Sequence, residues 1–347
     1  MKIFIIGGTG FISKNIVEIL LLRRHDVTIF TRGESVNPFK QNNNLHFETG
    51  DRNKYSDLEQ AVKGKNFDAV IDMTAFTVDQ SESAVRIFKG NTGRFIHCST
   101  VSVYMVSKDI KCPIKEDQDK GELMDDFPRN PFGMDYGINK RKCEDVLWNV
   151  HNPGSFPVTM LRPVFVCGPE DRTRRDFFWI QRILDGKTLL VPGSGDFAFQ
   201  QVYVNDTARA FCDVLETDKT IGEAYNVASE EIYSLNDYIR MIAQILGKDP
   251  EIVHIDQREF DKLDISYFPG ADVFPFNTRR TAVFSLDKIK NHTGFKTTPF
   301  SEWMPLTIDW YIKNVKNSFG YDRRNRELEI AEEWKKAADA AKRNFNI

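Results

Sequence analysis

The sequence predicts an α/β protein: a doubly wound parallel sheet, followed by a smaller α+β unit in the C-terminal half. Three observations predict it. Short apolar runs alternate with helical stretches through the first half of the chain. A glycine-rich turn joins the first run to the first helix. After Pro169 the alternation loosens, and charge clusters, aromatics and prolines become frequent.

Lys2–Ile6 is a continuous apolar run, as a strand buried on both faces requires. Gly7–Gly10 is a turn. Phe11–Arg24 carries Phe11, Ile12, Ile16, Val17, Ile19 and Leu20 at helical spacing. Val27–Phe30 is the next strand, and Phe67–Asp72, Arg94–Cys98 and Val158–Leu161 repeat the buried-strand signature. Helical stretches at Tyr55–Lys63 and Asp79–Phe88 lie between them. Strands connected this way pair in parallel, and right-handed crossovers put helices on both faces of the sheet.

Beyond Pro169, Asp176–Leu184 and Ser234–Leu246 read as helices, the second with Ser234 as N-cap and Gly247 as stop. Asp264–Asn277 is a Pro/Gly/aromatic-rich loop of a length that suits a lid or a pocket wall. The charged C-terminus carries a helical stripe of Ile330, Trp334, Ala337, Ala341 and Phe345, expected to pack on the body or on a partner chain. The expected division is 1–168 with a return segment near 200–228, then 169–199 with 229–320, then a charged helix over 321–347.

The chain has 347 residues with 47 basic and 50 acidic side chains, a formal charge of −3, and 41 % hydrophobic residues. That balance gives no reason to expect a nucleic-acid partner or an anionic membrane surface. No apolar run approaches the roughly 18 residues of a spanning helix. The N-terminus has no basic lead or cleavage-type segment, so a cytoplasmic location is expected. Five widely spaced cysteines without a CxxC read as reduced thiols, and six scattered histidines without an HxxxH pair lead us to expect no metal site.

Ile5–Ser13 (IIGGTGFIS) places a glycine turn directly between a strand and a helix. Glycines there let the backbone approach a pyrophosphate, and the helix N-terminus supplies unbonded N–H groups. This is a Rossmann-type arrangement, with Gly7, Gly10, Phe11 and Ile12 as cofactor-binding candidates. Ser13 stands where a third glycine is usual and is small enough for close packing. The second strand ends in Thr31-Arg32-Gly33, without the carboxylate that usually binds the adenosine ribose. Arg32 in that place can pair with a 2′-phosphate, which favours NADP over NAD. Asp51, with Arg52 beside it, lies where an adenine contact is expected.

Tyr136 and Lys140 form a YxxxK pair on one helical face. An ammonium near a phenol favours the phenolate and so lowers its pKa. A general base for alcohol oxidation needs that shift. Upstream, HCSTVSVY (His97–Tyr104) offers hydroxyls to a reacting oxygen, while His97 and Cys98 read as packing residues. Asp206 is expected to N-cap a helix over Thr207–Leu215, and Asn226 to satisfy backbone groups at a domain junction. Trp148, Trp179 and Trp310 are expected in the core or a pocket wall.

These motifs, with Pro131 through Lys140, LRPVFVCGP at 161–169, VYVNDTARAF at 202–211 and GEAYNVAS at 222–229, resemble an extended short-chain dehydrogenase/reductase of the NAD-dependent epimerase/dehydratase group. The Thr31-Arg32-Gly33 strand end and FFWIQRILDG are similar to the branch that includes chloroplast stem-loop-binding relatives. The resemblance implies that Tyr136 is the base and that Lys140 lowers its pKa and holds the nicotinamide ribose. It implies that Thr100 orients the substrate hydroxyl, with Ser99 and Ser102 as neighbours. It also implies that Met73, Thr74 and Ala75 line the cofactor and that Pro163 and Val164 lie beside the nicotinamide.

The departures narrow the reaction. Family 4,6-dehydratases carry Asp-Glu directly after the Thr; here Val101 and Ser102 stand there, so a dehydratase is disfavoured. The arginine that often binds a substrate diphosphate is replaced within Phe199-Gln200-Gln201. Gln200 and the arginines Arg172, Arg174, Arg175, Arg279 and Arg280 are the alternatives, with Arg175 and Arg279 foremost. The expected function is an NAD(P)-dependent oxidoreductase or epimerase acting on a sugar or sugar nucleotide, with homodimerisation implied by the resemblance. The alternative is a non-catalytic dinucleotide-binding protein with an RNA-binding or regulatory role.

Overall fold

The strand Lys2–Ile6 (β1) buries both faces, and its alternation organises the molecule. The computed structural model describes residues 1–34, 36–125, 133–263, 274–276, 278–316 and 321–345. Ile3 and Ile5 pack with Ile16, Val17 and Leu20 of the helix Phe11–Leu22 and with Phe211 of the helix Val204–Asp213. Phe4 and Ile6 join Leu58, Ala84, Phe88 and Leu147 on the opposite face. Each such Ile, Leu, Val or Phe side chain, fully buried, contributes roughly 1.5–3 kcal/mol of transfer free energy.

The remaining strands are β2 (Asp26–Thr31), β3 (Leu45–Thr49), β4 (Phe67–Asp72), β5 (Thr92–Cys98), β6 (Val158–Pro163), β7 (Phe165–Cys167), β8 (Leu189–Pro192), β9 (Gln201–Tyr203), β10 (Ala224–Val227) and β11 (Ile252–Ile255). Among the described residues, seven of them form one sheet in the order β10-β6-β5-β4-β1-β2-β3. Every pairing in it is parallel. The order reverses between β1 and β4, and a crevice at the carboxyl ends of strands is expected at such a switch point. Two smaller parallel pairs, β8 with β11 and β7 with β9, lie outside the sheet.

A separate hydrophobic cluster gathers Phe177 and Trp179 of the helix Arg175–Leu184, Tyr238 and Ile242 of Leu235–Ile245, and Trp303 and Met304 of Phe300–Asn314. Ser234 caps its helix as expected, its Oγ accepting from Asp237 N at 3.1 Å. Phe274 and Phe276 are buried against Phe178 and Phe199, so this end of the expected 264–277 loop is core. Residues 264–273 and 277 of that loop, and Pro131, lie outside the described residues. The helix Arg324–Phe345 buries Ile330 and Ala331 in this cluster and half-buries Trp334, but Ala337 and Ala341 are exposed. The stripe therefore packs only over its first turns. Buried Arg182 and Arg324 anchor it there, to Glu327 at 2.9 Å and Asp185 at 2.7 Å. No described helix is long and apolar enough to cross a membrane.

Candidate functional site

A cleft of about 630 Å³ opens at the switch point, lined from the glycine turn across to Tyr136 and Lys140. Its floor begins at Gly7, where φ is +87° and a Cβ would stand 2.3 Å from Thr74 Cγ2. Only glycine fits there without movement. Gly7 N donates to Phe30 O at 2.9 Å, tying the turn to β2. At Gly10, which precedes the helix, N–H donates to Ser13 Oγ at 2.9 Å. Ser13 thus does more than fit the usual glycine position: it satisfies a backbone donor at the helix start. Phe11 and Ile12 also line the cleft.

The turn after β4 is held from below by a residue that sequence reasoning passed over. Asp72, fully buried, accepts from Thr74 N at 3.0 Å and from Arg52 Nη2 at 2.6 Å. Arg52 lines the cleft but spends Nη2 on Asp72 and on Gln80 O at 3.0 Å, so part of its guanidinium is structural. Asp51 also lines the cleft, with Oδ1 accepting from Asn53 N at 2.9 Å, as a turn aspartate does. The signal for Asp72 was its place at the end of a buried strand, where an unpaired carboxylate is costly.

Arg32 stands at the cleft mouth, largely exposed, and pairs with Glu34 at 3.1 Å. The strand itself ends at Thr31 without a carboxylate, as expected; Glu34, three residues beyond it, is the acid that pairs with Arg32.

Lys140 Nζ is buried and donates to Ala75 O at 2.7 Å and Cys98 O at 2.6 Å, with His97 Nε2 at 3.4 Å. Burial lowers its pKa. His97 is fully buried, as a packing residue is, and also meets the Lys140 ammonium. Tyr136 lies on the cleft wall with Thr100, whose hydroxyl hydrogen-bonds to the phenol. Burial pushes the phenol up to about 12, against the Thr100 bond and the Arg175 charge, which lower it. In this arrangement the cation acting on the phenol is Arg175, while Lys140 is engaged elsewhere. Thr100 Oγ1 also lies 3.2 Å from Ser102 Oγ, whose hydroxyl can donate to it.

Arg175 opens its helix with its guanidinium 5.2 Å from the centre of the Phe165 ring. Arg172, Pro163 and Val164 line the cleft as well. Three expected anion or substrate groups are committed elsewhere. Gln200 is buried and donates to Ser229 O at 2.6 Å while accepting from Phe284 N at 2.7 Å, so it braces two chain segments. Arg279 is held bidentately by Asp261 at 2.8 and 3.0 Å, which neutralises it. Arg280 donates to Met105 O at 2.7 Å and Ser107 O at 3.1 Å. Asp206 is a further correction: its helix starts at Val204 with Tyr203 as N-cap, and Asp206 accepts from Thr298 N at 2.6 Å inside the first turn. Asn226 does tie segments together, donating to Ile114 O at 3.0 Å and accepting from Tyr104 at 2.9 Å.

The cleft fits a dinucleotide on its own chemistry. The turn leaves room for backbone approach, a helix N-terminus faces it, and Thr74 Oγ1 and Ser99 Oγ are buried hydroxyls with no partner among the described residues.

Comparison with known proteins agrees. A family described as the NAD dependent epimerase/dehydratase family matches residues 3–228. The chain is 28 % identical over 314 residues to the chloroplast stem-loop binding protein of 41 kDa b of Arabidopsis thaliana, covering 85 % of this chain and 75 % of that protein. The crystal structure of a UDP-glucose 4-epimerase from Thermotoga maritima with UDP-glucose superposes with a TM-score of 0.68 at 21 % identity, over 91 % of this chain and 100 % of that one. The UDP-glucuronic acid 4-epimerase of Bacillus cereus in complex with NAD gives 0.67 at 22 % identity, over 91 % and 100 %.

Proposed function

The chain belongs to the NAD-dependent epimerase/dehydratase family, and from that premise we propose that it is an NAD(P)-dependent oxidoreductase or epimerase acting on a carbinol or ketone of a sugar or sugar nucleotide. The observation that carries this reading is the pairing of Tyr136 with Thr100 on the wall of the cleft that begins at the glycine turn. The sugar-nucleotide epimerases with the same fold support the substrate class.

Gly7, Gly10, Phe11 and Ile12 hold the pyrophosphate end of the dinucleotide, with Arg32, Asp51 and Arg52 toward the adenosine. Thr74, Ala75, Pro163 and Lys140 hold the nicotinamide end. The bound dinucleotide supplies a hydride acceptor and, once reduced, a hydride donor. Tyr136 as phenolate takes the carbinol proton while the carbon gives up a hydride, leaving a carbonyl. Thr100 and its neighbours Ser99 and Ser102 steady that oxygen. Arg172 lines the same cleft, and Arg175, whose charge acts on Tyr136, adds to its attraction for an anionic substituent such as a diphosphate. With the dinucleotide bound, Tyr136 would take the carbinol proton or give it back, and the product would be a ketone or an epimer. Val101 and Ser102, lacking acid/base groups, favour these outcomes over dehydration. We assign the unit around the second hydrophobic cluster, residues 169–199 and 229–320, to substrate binding. A homodimer belongs to the same proposal.

NADP is the favoured cofactor, read by Arg32. Arg32→Ala is expected to weaken NADPH about fivefold or more while changing NADH little, because a guanidinium–phosphate pair is lost only in the first case. Equal losses in a fluorescence titration would make Arg32 a bystander. Incubation with both dinucleotides and a panel of sugar nucleotides and free sugars, followed by nicotinamide absorbance and product stereochemistry, tests the reaction itself.

The name of the Arabidopsis relative motivates a second reading, RNA binding. A net charge of −3 argues against it, since phosphate neutralisation drives such binding. We expect no steeply salt-dependent RNA binding; finding it at low salt, falling as salt rises, would bring that reading forward.

A further inference from the structure

An ammonium has three protons to donate. At Lys140 they meet three acceptors: Ala75 O at 2.7 Å, Cys98 O at 2.6 Å and His97 Nε2 at 3.4 Å. The Phe76 ring covers a further side, its centre 5.4 Å from Nζ. Lys140 lines the cleft, yet every one of its protons is already directed inward. The two carbonyls are backbone groups at the turn after β4 and the end of β5. They sit at short, charge-assisted distances. The imidazole bond is the long one.

We propose that His97 is a positioning residue that parks Lys140 by accepting its third proton, and that a hydroxyl of the bound dinucleotide's ribose takes that proton over when the cleft fills. This rests on the dinucleotide reading of the cleft. It requires His97 to be neutral, with Nε2 bare and the proton on Nδ1.

The surroundings enforce that state. His97 is fully buried, and burial together with the charges of Lys140, Arg52 and Arg162 holds its pKa well below the ordinary value. Asp72, its partner across the β4–β5 pairing, is taken up by Arg52 and Thr74 N. Glu144 is paired with Arg162. The Cys98 thiol is pushed up to about 11 and stays protonated. Among the described residues, no carboxylate is therefore left to draw a second proton onto the ring. Nδ1 is buried with no partner among the described residues. A buried unbonded N–H is a cost, and a purely structural histidine would be expected to bond it.

Two variants and one spectrum test the proposal. His97→Leu removes the acceptor, so dinucleotide binding no longer has to break a Lys140 bond. Its affinity is expected to rise about three- to tenfold. His97→Gln returns an acceptor near the Nε2 position and is expected to stay within about twofold of the parent. Weaker binding in both variants would mark His97 as merely structural and overturn the proposal. Nitrogen-15 NMR of histidine-labelled, dinucleotide-free protein reads the tautomer directly, even if His97→Leu fails to fold. A bare Nε2 with Nδ1 protonated is expected; a proton on Nε2, or an imidazolium, overturns the parking. A parent protein that bound no dinucleotide but showed the expected tautomer would instead overturn the cofactor reading and the handover, leaving the Lys140–His97 bond as a structural contact.

Discussion

Replacing Tyr136 by phenylalanine is expected to lower kcat by about 10²–10⁴-fold, the usual worth of a positioned general base, while leaving the dinucleotide Kd within about twofold. The expected separation follows from geometry. Tyr136 belongs to the wall shared with Thr100, whereas the proposed pyrophosphate site is the glycine turn, which lines the cleft from another element. The fold should tolerate the change. The ring stays, and Thr100 keeps its bond to Ser102 at 3.2 Å. The pH dependence gives a second readout. Burial holds the phenol up to about 12, so at neutral pH the protonated form dominates. Below its pKa the ionised fraction rises about tenfold per pH unit. The rate of carbinol oxidation should therefore climb with pH in the parent and stay flat in Tyr136→Phe. Undiminished turnover in that variant, with a suitable substrate in hand, would remove Tyr136 from the mechanism.

What was legible in the sequence depended on how much each feature relied on residues near it in the chain. β1, β4, β5 and β6 are buried on both faces, and short local apolar runs such as Ile3–Ile6, Ala69–Ile71, Phe95-Ile96 and Met160-Leu161 announce them. β3 was missed because it is an edge strand with only Leu45 buried, and LHFET carries no run to read. The glycine turn and the YxxxK spacing were legible for the same local reason. The occupations of long side chains were not. Gln200, Arg279 and Arg280 looked available for a substrate, but their partners Phe284, Asp261 and Met105 lie far away in sequence. The direction of Lys140 was hidden likewise, because its acceptors come from two other strands' ends and only the fold brings them together. Charge type predicts what a group can bind; tertiary pairing decides whether it is still free to do so.

The glycine turn carries the second large prediction, and its two glycines should fail differently. Gly7→Ala faces two separate costs. A φ of +87° suits glycine and is strained for alanine, by roughly 1–3 kcal/mol. A Cβ at 2.3 Å from Thr74 Cγ2 adds an overpacking cost of about 1–3 kcal/mol. Neither side can retreat easily: Gly7 N is bonded to Phe30 O, and Thr74 N is held by Asp72, itself fixed by Arg52. A total loss of about 2–5 kcal/mol is expected in denaturant unfolding, with dinucleotide affinity falling at least tenfold as the turn shifts. Thr74→Ser removes the offending methyl alone. In the Gly7→Ala/Thr74→Ser pair, the clash should be relieved and the backbone strain retained, giving a coupling of about 1–2 kcal/mol in a double-mutant cycle. Gly10→Ala is the contrasting case. Gly10 has a φ of −79°, which alanine adopts freely, and its nearest obstacle is Ser13 Oγ at 3.3 Å. Its fold should survive nearly unchanged, yet the new methyl would stand at the helix N-terminus proposed to hold the pyrophosphate, so affinity should fall while stability does not. If Gly10→Ala instead bound dinucleotide as the parent does, the phosphates would have to sit elsewhere in the cleft. If the double variant were no more stable than Gly7→Ala, backbone strain alone would account for the glycine.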